Sequence, residues 1–515
     1  MSHQSDYMLY GQGADNDGAV TMKARTFTGG YIFKTFEAEP RDELVTQNIP
    51  SKVVIPLRQG FGSALDPLVK VGDKVRAGQI IGHDQASIAS PIHSSINGKV
   101  VEIKKTNYFH REVWMVVIEG DGTDDYDLVD GYSSQWEKLP TEAVEKILYT
   151  SGVTSLDRQG IPTQFRSSVI GPEKVENIIV HGADSEVYNL SLKLLFKGKG
   201  LYNFVVGLKI LKKIMPRAKI HVAIDHSESE IHERLSKLLF KEDNIEMVPI
   251  VSKYPVGFDQ VLIPTILEKS FPYGYSAANI GVVVLNIQAV LQVFEAMHQG
   301  KPLIERTIAL CGPSVTEPTH VKVRVGTPLA DILDGRLKKA PSRVILNSLL
   351  TGVELNDLSL PIDRTFSLII AIPEDTDRKF LALFRTGPRD DSISCTFASA
   401  YLNLDKHAGT NKHGEERPCI QCGYCISVCP VRVVPIMLNR LSKRAIDVRL
   451  MRYGIFNCID CNLCSYVCPC KIPLARNIKM GKSKLIGIGC DQSLCILPKF
   501  NLTGLAEYRG VIAKR

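Results

Sequence analysis

Two cysteine strings near the C-terminus constrain this chain more than any other feature: Cys419, Cys422, Cys425 and Cys429 followed by Pro430, then Cys458, Cys461, Cys464 and Cys468 followed by Pro469. Three cysteines at steps of three line a tight loop around one face of a cubane iron–sulfur cluster, and the fourth, beyond the loop, ligates the neighbouring cluster. On that pattern one 4Fe–4S cluster takes Cys419, Cys422, Cys425 and Cys468, and a second takes Cys458, Cys461, Cys464 and Cys429. Pro430 and Pro469 fix φ and suit the first turn of a helix, so each fourth cysteine is expected at a helix start. Structural zinc also uses closely spaced cysteines, but in two separated pairs rather than three in a row plus Cys-Pro. A disulfide framework accounts poorly for the 13 cysteines, because 515 residues bury a sufficient core without staples. The spacing points to single-electron transfer in a reducing setting.

Length suggests roughly three or four domains, and a hydrophobic content of 44% is that of an ordinary globular protein. The longest apolar runs, Ile280–Asn286 and Phe366–Pro373, fall far short of the roughly 20 residues that cross a bilayer, so no membrane span is expected. The opening residues are polar, without a charged-then-apolar leader, and a cytoplasmic location is expected. Net charge is +7, with Arg432, Arg440, Lys443, Arg444, Arg449 and Arg452 concentrated between the cysteine strings. Such a rim either steers an acidic ferredoxin-type partner or an anionic membrane face, or offsets the negative charge of thiolate-ligated clusters. Nothing in the sequence supports nucleic-acid binding.

Ahead of the cysteines, residues 52–105 carry short β-branched runs broken by glycine, with turns at Gly72 and at Asn97-Gly98. They read as a biotinyl/lipoyl-like sandwiched hammerhead whose tip, Ser94 to Asn97, lacks a modifiable lysine, so the module docks or scaffolds. From about 175, strands alternate with helical stretches, which implies a parallel sheet with crossover helices and ligand-facing loops at the strand C-terminal ends. The loop after the first of these strands holds Asp184 and Glu186, placed either to hold ribose or ribityl hydroxyls or to cap the next helix. Residues 303–334 read as a β module containing Cys311, which with Cys395 is taken as a core thiol. Cys470, Cys490 and Cys495 match neither a cubane nor a zinc template well. The two cysteine strings themselves are an internal repeat.

The order of parts, together with the stretches at 29–34, 67–79, 300–312 and 458–479, resembles the RnfC component of the Rnf electron transport complex, an ion-pumping ferredoxin:NAD+ oxidoreductase. More distantly it is similar to the A component of the sodium-pumping NADH:quinone reductase and to the flavoprotein subunit of complex I. The resemblance implies an α/β multidomain fold: an N-terminal lead-in (1–45), hammerhead (46–110), Rossmann-like α/β domain with a parallel sheet (111–300), β-grasp domain of the soluble-ligand-binding (SLBB) type (301–345), return segment (346–404), α-helical two-cluster ferredoxin domain (405–485) and tail (486–515). It also implies a subunit docked on membrane partners at the cytoplasmic face, exchanging electrons with ferredoxin or NADH.

In the family a glycine-rich run cradles the FMN phosphate, glycines letting backbone N–H groups approach the anion. At the matching place, 155–163, only Gly160, Pro162 and Thr163 survive, and Asp157 puts a carboxylate where the phosphate belongs. The stretches Tyr254–Val261 and Asn347–Gly352 depart from the family pattern as well. If FMN or NADH binds, the candidates are Arg158, Gly160, Thr163, Asp184 and Glu186. Three readings follow: an electron-relay subunit with a degraded flavin site, a working NADH-oxidising flavoprotein, or a non-catalytic assembly subunit. The crosswise ligand pattern ties the two clusters into one unit and predicts that Cys429→Ser damages both; EPR and iron content showing a fully intact second cluster would count against the swap.

Overall fold

The computed structural model describes residues 24–33, 37–60, 64–83, 90–153, 175–183, 185–269, 277–338, 342–373, 416–444 and 449–490. Alternating Val and Ile side chains build the first β module. Strand Lys52–Pro56 pairs antiparallel with Arg111–Gly120, which pairs with Gly98–Tyr108 and so reaches Lys74–Val75 at the far edge. Val53, Ile55, Val100, Val116 and Ile118 point inward and are fully buried, as the period of two demands. The hairpin turns on Phe109 and His110, both at positive φ (48° and 64°), which matches the twist of the strands. Because Arg111–Gly120 completes this sheet, the hammerhead continues to residue 120 rather than ending at 110. The expected boundary cut through the hairpin because its turn carries no Asn-Gly or Asp-Gly signal. The Ser94–Asn97 tip is buried against the β-grasp module, where the Ser95 hydroxyl donates to the Val325 carbonyl.

Four parallel strands, Asn177–His181, Lys219–Asp225, Ile245–Ile250 and Val282–Asn286, form the α/β sheet in the order third, second, first, fourth. Near-continuous Val/Ile runs suit strands covered on both faces. Helices Gly200–Ile214 and Ser229–Leu239 make the first two crossovers, and Ile287–Gln299 leaves the fourth strand under an Asn286 cap whose side chain accepts from the Ala289 N–H. The strand order reverses between the first and fourth strands, which opens a crevice at their C-terminal ends.

The β-grasp sheet is larger than expected. Glu305–Cys311 pairs antiparallel with Thr319–Arg324 and parallel with Leu368–Pro373, which continues to Ser342–Leu346 and Val353–Leu355. Leu44–Thr46 adds to the opposite edge. Parts of the expected lead-in and return segment therefore belong to this sheet; pairing between strands so distant in sequence leaves no local signal.

Three modules meet at one buried arginine. Arg364 donates to Gln59 Oε1 (3.0 Å) and the Pro91 carbonyl (3.0 Å) of the hammerhead, and to the Gly152 carbonyl (3.1 Å) at the entrance to the α/β domain. Burial lowers its pKa to about 10 against the opposing charge of Asp363. Asp363 in turn accepts from Tyr108 Oη (3.0 Å) and from the Thr365 N–H and hydroxyl. Beside this junction His93 hydrogen-bonds the Thr150 carbonyl through Nε2 (2.8 Å), so Nε2 carries the proton. Burial, then the charge of Arg364, pulls its pKa down to about 3.

The C-terminal module packs helix Pro435–Ser442 on helix Leu474–Gly487 around Leu438, Leu441, Leu450, Ile455, Ile478 and Leu485. The segment around Gly29 anchors it: the Gly30 N–H donates to the Val428 carbonyl (2.9 Å), and Arg432 donates to Thr28 Oγ1 (2.8 Å). Gly29 sits at φ +75°, and a Cβ there would lie 2.8 Å from the Cys429 carbonyl oxygen.

Two expectations follow from these contacts. Since folding depresses the His93 pKa, its contribution is complete above about pH 6.5 and is lost as pH falls toward 3, at up to ~1.4 kcal/mol per pH unit; denaturant melts across that window should show the slope, and His93→Gln should flatten it. Gly29→Val should cost about 1–3 kcal/mol through overpacking and lower the iron retained per chain; a variant that melts like the parent with full iron would show that the contact is dispensable.

Candidate functional site: two cysteine sets beside a cavity

The two cysteine strings fold alike, 39 positions apart, as from Cys419 to Cys458. Gln421, Gly423 and Arg432 are left-handed (φ 57°, 82° and 55°), and so are their counterparts Asp460, Asn462 and Lys471 (φ 57°, 67° and 56°). These reversals wrap each loop so that backbone N–H groups turn toward sulfur. The N–H groups of Val431, Arg432 and Val433 hydrogen-bond Cys429, and those of Cys470 and Ile472 hydrogen-bond Cys468. The fourth cysteines are consequently not at helix starts: the chain turns at Arg432 and Lys471 first, and the helices begin at Pro435 and Leu474. Pro435, rather than Pro430, takes the first helical turn.

The fold brings the cysteines together crosswise. Burial, then the charges of Cys422, Cys468 and Cys419, pushes the Cys425 thiol up to about 11. Burial, then Cys458 and Cys429 among nearby charges, pushes Cys461 up to about 12, and Cys464 is raised well above its usual range with Cys458, Cys461, Cys425 and Cys429 as neighbours. Cys458 is pushed to about 11, chiefly by burial, with Lys482 opposing and Cys429 contributing. One set thus gathers Cys419, Cys422, Cys425 and Cys468, the other Cys458, Cys461, Cys464 and Cys429, and Cys464 and Cys425 face each other where the sets adjoin. Bare thiols so crowded resist ionisation, whereas bound iron stabilises each thiolate. Among the described residues no three His, Cys, Asp or Glu side chains surround a point closely enough for a single metal ion; thiolates around a 4Fe–4S cube stand farther apart, because the cube fills the middle. All-thiol donors, backbone N–H groups aimed at sulfur, and burial fit such a cluster.

Of the remaining cysteines, Cys311 is fully buried in its β-grasp strand, and Cys470 packs beside Cys419, Cys425 and Cys468. Cys490 packs against the core of the C-terminal module. Cys395 and Cys495 lie outside the described residues.

A cavity of about 250 Å³ opens at the sheet's switch point. His181 and Asn286, at the ends of the first and fourth strands, form its floor, and Arg306, Asn347, Thr365 and Leu368 of the β-grasp module form the opposite wall. Tyr254, Pro255, Gly257, Phe258, Asp259 and Gln260 line a third side. Two of the three divergent loops therefore converge on this cavity. The third, with Arg158, Gly160 and Thr163, lies outside the described residues, as does Asp184. Glu186 lines the cavity and accepts from the Ser348 hydroxyl (2.6 Å), which ties the α/β loop to the β-grasp turn rather than capping a helix. Sequence reasoning missed Arg306, only 2% exposed, which donates to the Phe366 carbonyl (3.0 Å) and Ser367 Oγ (3.2 Å). The signal was present in the charged pair Glu305-Arg306 heading an apolar strand. With carboxylates at Glu186 and Asp259 and a guanidinium at Arg306, the cavity suits a ligand carrying hydroxyls better than one whose phosphate points at the carboxylates.

Domain comparisons assign all four modules. An RnfC barrel sandwich hybrid domain matches residues 25–123, the Nuo51 FMN-binding domain 148–295, the NQRA C-terminal SLBB domain 307–357, and a 4Fe-4S dicluster domain 418–472. Among curated relatives, the C component of the proton-translocating ferredoxin:NAD(+) oxidoreductase complex of Clostridium ljungdahlii is 28% identical over 77% of this chain and 79% of its own. The Na(+)-translocating counterpart of Acetobacterium woodii is 26% identical over 82% and 89%. A solved NAD+-reducing NiFe hydrogenase superposes with a TM-score of 0.42 at 11% identity, over 71% of this chain and 64% of that one. Four matched domains in the same order as the observed modules, and relatives aligned over most of the length, make the chain similar to the RnfC-type C components of ion-translocating ferredoxin:NAD+ oxidoreductases.

Proposed function

We propose that this chain is a peripheral electron-relay subunit of an Rnf-type membrane complex, passing electrons through two 4Fe–4S clusters while its flavin and NADH site is weakened. The observation that carries the proposal is the crosswise gathering of eight cysteines into two adjoining, partly buried sets beside a cavity lined by residues of two stretches, 254–261 and 347–352, that depart from the family pattern. Cys419, Cys422, Cys425 and Cys468 hold one cluster; Cys458, Cys461, Cys464 and Cys429 hold the other. When bound, the clusters supply reversible one-electron chemistry. The chain supplies the thiolates, N–H groups that favour the reduced state, and burial that excludes water. Lys482, which donates to the Cys458 carbonyl (2.6 Å) and pairs with Asp460 (2.9 Å), adds a positive charge on one side.

The partners are the other subunits of the complex, with ferredoxin and NADH as the ultimate redox couples, as the relatives' names indicate. No helix among the described residues is long and apolar enough to cross a membrane, in keeping with a subunit that reaches the cytoplasmic face through its partners.

The cofactor content of anaerobically purified protein tests this reading. About eight iron and eight sulfide per chain are expected, with FMN well below one per chain. Stoichiometric, tightly bound FMN together with NADH reduction of the clusters would instead identify a working NADH-oxidising flavoprotein; colourless or zinc-loaded protein would defeat both.

A further inference from the structure

A second cleft, of about 330 Å³, opens where the hammerhead meets the β-grasp sheet. Two guanidiniums line it from the hammerhead side: Arg58, two residues past strand Lys52–Pro56, and Arg111, the first residue of the hairpin strand Arg111–Gly120. Neither lines the switch-point cavity, from which the cleft is separated by Asn347 and Thr365, residues that line both. Aromatic rings supply much of the remaining wall. Phe109 and Phe366 meet edge-on at 5.9 Å, and Phe109 meets Tyr108 edge-on at 4.5 Å. Phe109 holds this place at a φ of 48°, a region that is costly for a bulky side chain.

The two arginines oppose each other: burial, then the charge of Arg111, lowers the Arg58 pKa. The acidic residues at the edge of the cleft are turned elsewhere. Asp363 accepts from Tyr108 Oη (3.0 Å) and from the Thr365 N–H and hydroxyl, and its charge is set against that of buried Arg364. Glu112 falls between the lining residues Arg111 and Val113 on a strand, so it faces the other side. Glu354, next to the lining residue Val353, accepts from Arg343 (2.8 Å).

We propose that this cleft binds a small organic acid, its carboxylate or phosphate held between Arg58 and Arg111 and its apolar body against Phe109 and Phe366. An anion between two guanidiniums relieves their repulsion and accepts from planar forks whose geometry matches either head group. The volume suits a one-ring acid rather than a dinucleotide, and it lies at the small end of ligand sites. Because the walls come from two modules, the bound acid clamps the hammerhead to the β-grasp sheet. The clusters take no part, so the outcome leaves the relay function untouched.

Isothermal titration of full-length, cluster-loaded protein at low salt with benzoate and with phenyl phosphate tests the site. One site per chain is expected for at least one probe, and the tighter of the two identifies the head group. Arg111→Gln and Arg58→Gln should each weaken that probe about tenfold or more, the loss of a charge-assisted hydrogen bond. Lys99→Gln, which removes an equal charge from an exposed position outside the cleft, should leave it unchanged. Acetate and inorganic phosphate should bind more weakly than their aromatic counterparts. Absence of binding by both aromatic probes, equal weakening by Lys99→Gln, or equally tight binding of the ring-free anions would overturn the proposal. Should Arg58→Gln fail to fold, exposed Arg111 decides, and unchanged affinity in Arg111→Gln refutes the site.

Discussion

Eight thiols brought into two adjoining sets in a partly dry interior are the constraint on which the C-terminal half depends. Without cations the arrangement opposes itself, since burial and mutual repulsion raise Cys425, Cys458, Cys461 and Cys464 together. With iron, the same crowding becomes strong multidentate ligation, and because each string lends its fourth cysteine to the other set, neither half is complete alone. The left-handed residues at 421, 423 and 432, repeated at 460, 462 and 471, are the backbone's answer. They turn N–H groups toward sulfur at positions where most side chains carry a conformational cost; three of the six, Gly423, Asp460 and Asn462, are residue types that tolerate this region, and Gln421, Arg432 and Lys471 are not.

The other modules aim this unit at a ligand site. Arg364 and Asp363 lock the hammerhead, the entrance to the α/β domain and the β-grasp sheet to one another through buried, charge-assisted hydrogen bonds. Removing one partner would leave the other charged and dry, which costs far more than a surface ion pair. On the opposite side, the strand-like contact between Tyr31 and Tyr254, with both backbone bonds at 2.9 Å, and the Gly30–Val428 bond stitch the N-terminal segment across the α/β domain and the cysteine module. The cavity is thus walled by elements whose relative placement is fixed by these hydrogen bonds together with apolar packing, as of Val187 and Tyr188 on Ala309 and Leu368 and of Tyr254 on Leu463 and Phe33.

Much of this was legible in the chain. Cysteine steps of three with a trailing Cys-Pro point to the cluster type, in line with the matched 4Fe-4S dicluster domain, and carry the proposed crossed pairing, because a thiolate spacing is a geometric statement even without coordinates. Strand–helix alternation after residue 175 gave the parallel sheet, and the altered stretches at 254–261 and 347–352 did meet at one cavity. What eluded sequence reasoning were relations between distant residues: Leu44–Thr46 and Leu368–Pro373 joining the β-grasp sheet, the hairpin strand Arg111–Gly120, and Arg306 as a cavity wall. The helix starts were misplaced for a local reason, since a left-handed turn at Arg432 or Lys471 has no side-chain signature.

The sequence by itself determined the two repeated cysteine strings and the dicluster type they match, because ligand spacing and the internal repeat are properties of the chain's covalent order. Only the tertiary structure decided which set faces inward. Tyr254 and Cys461 are separated by 207 positions and meet through a single hydrogen bond, and such proximity follows from how whole modules pack, which no local pattern of residues encodes.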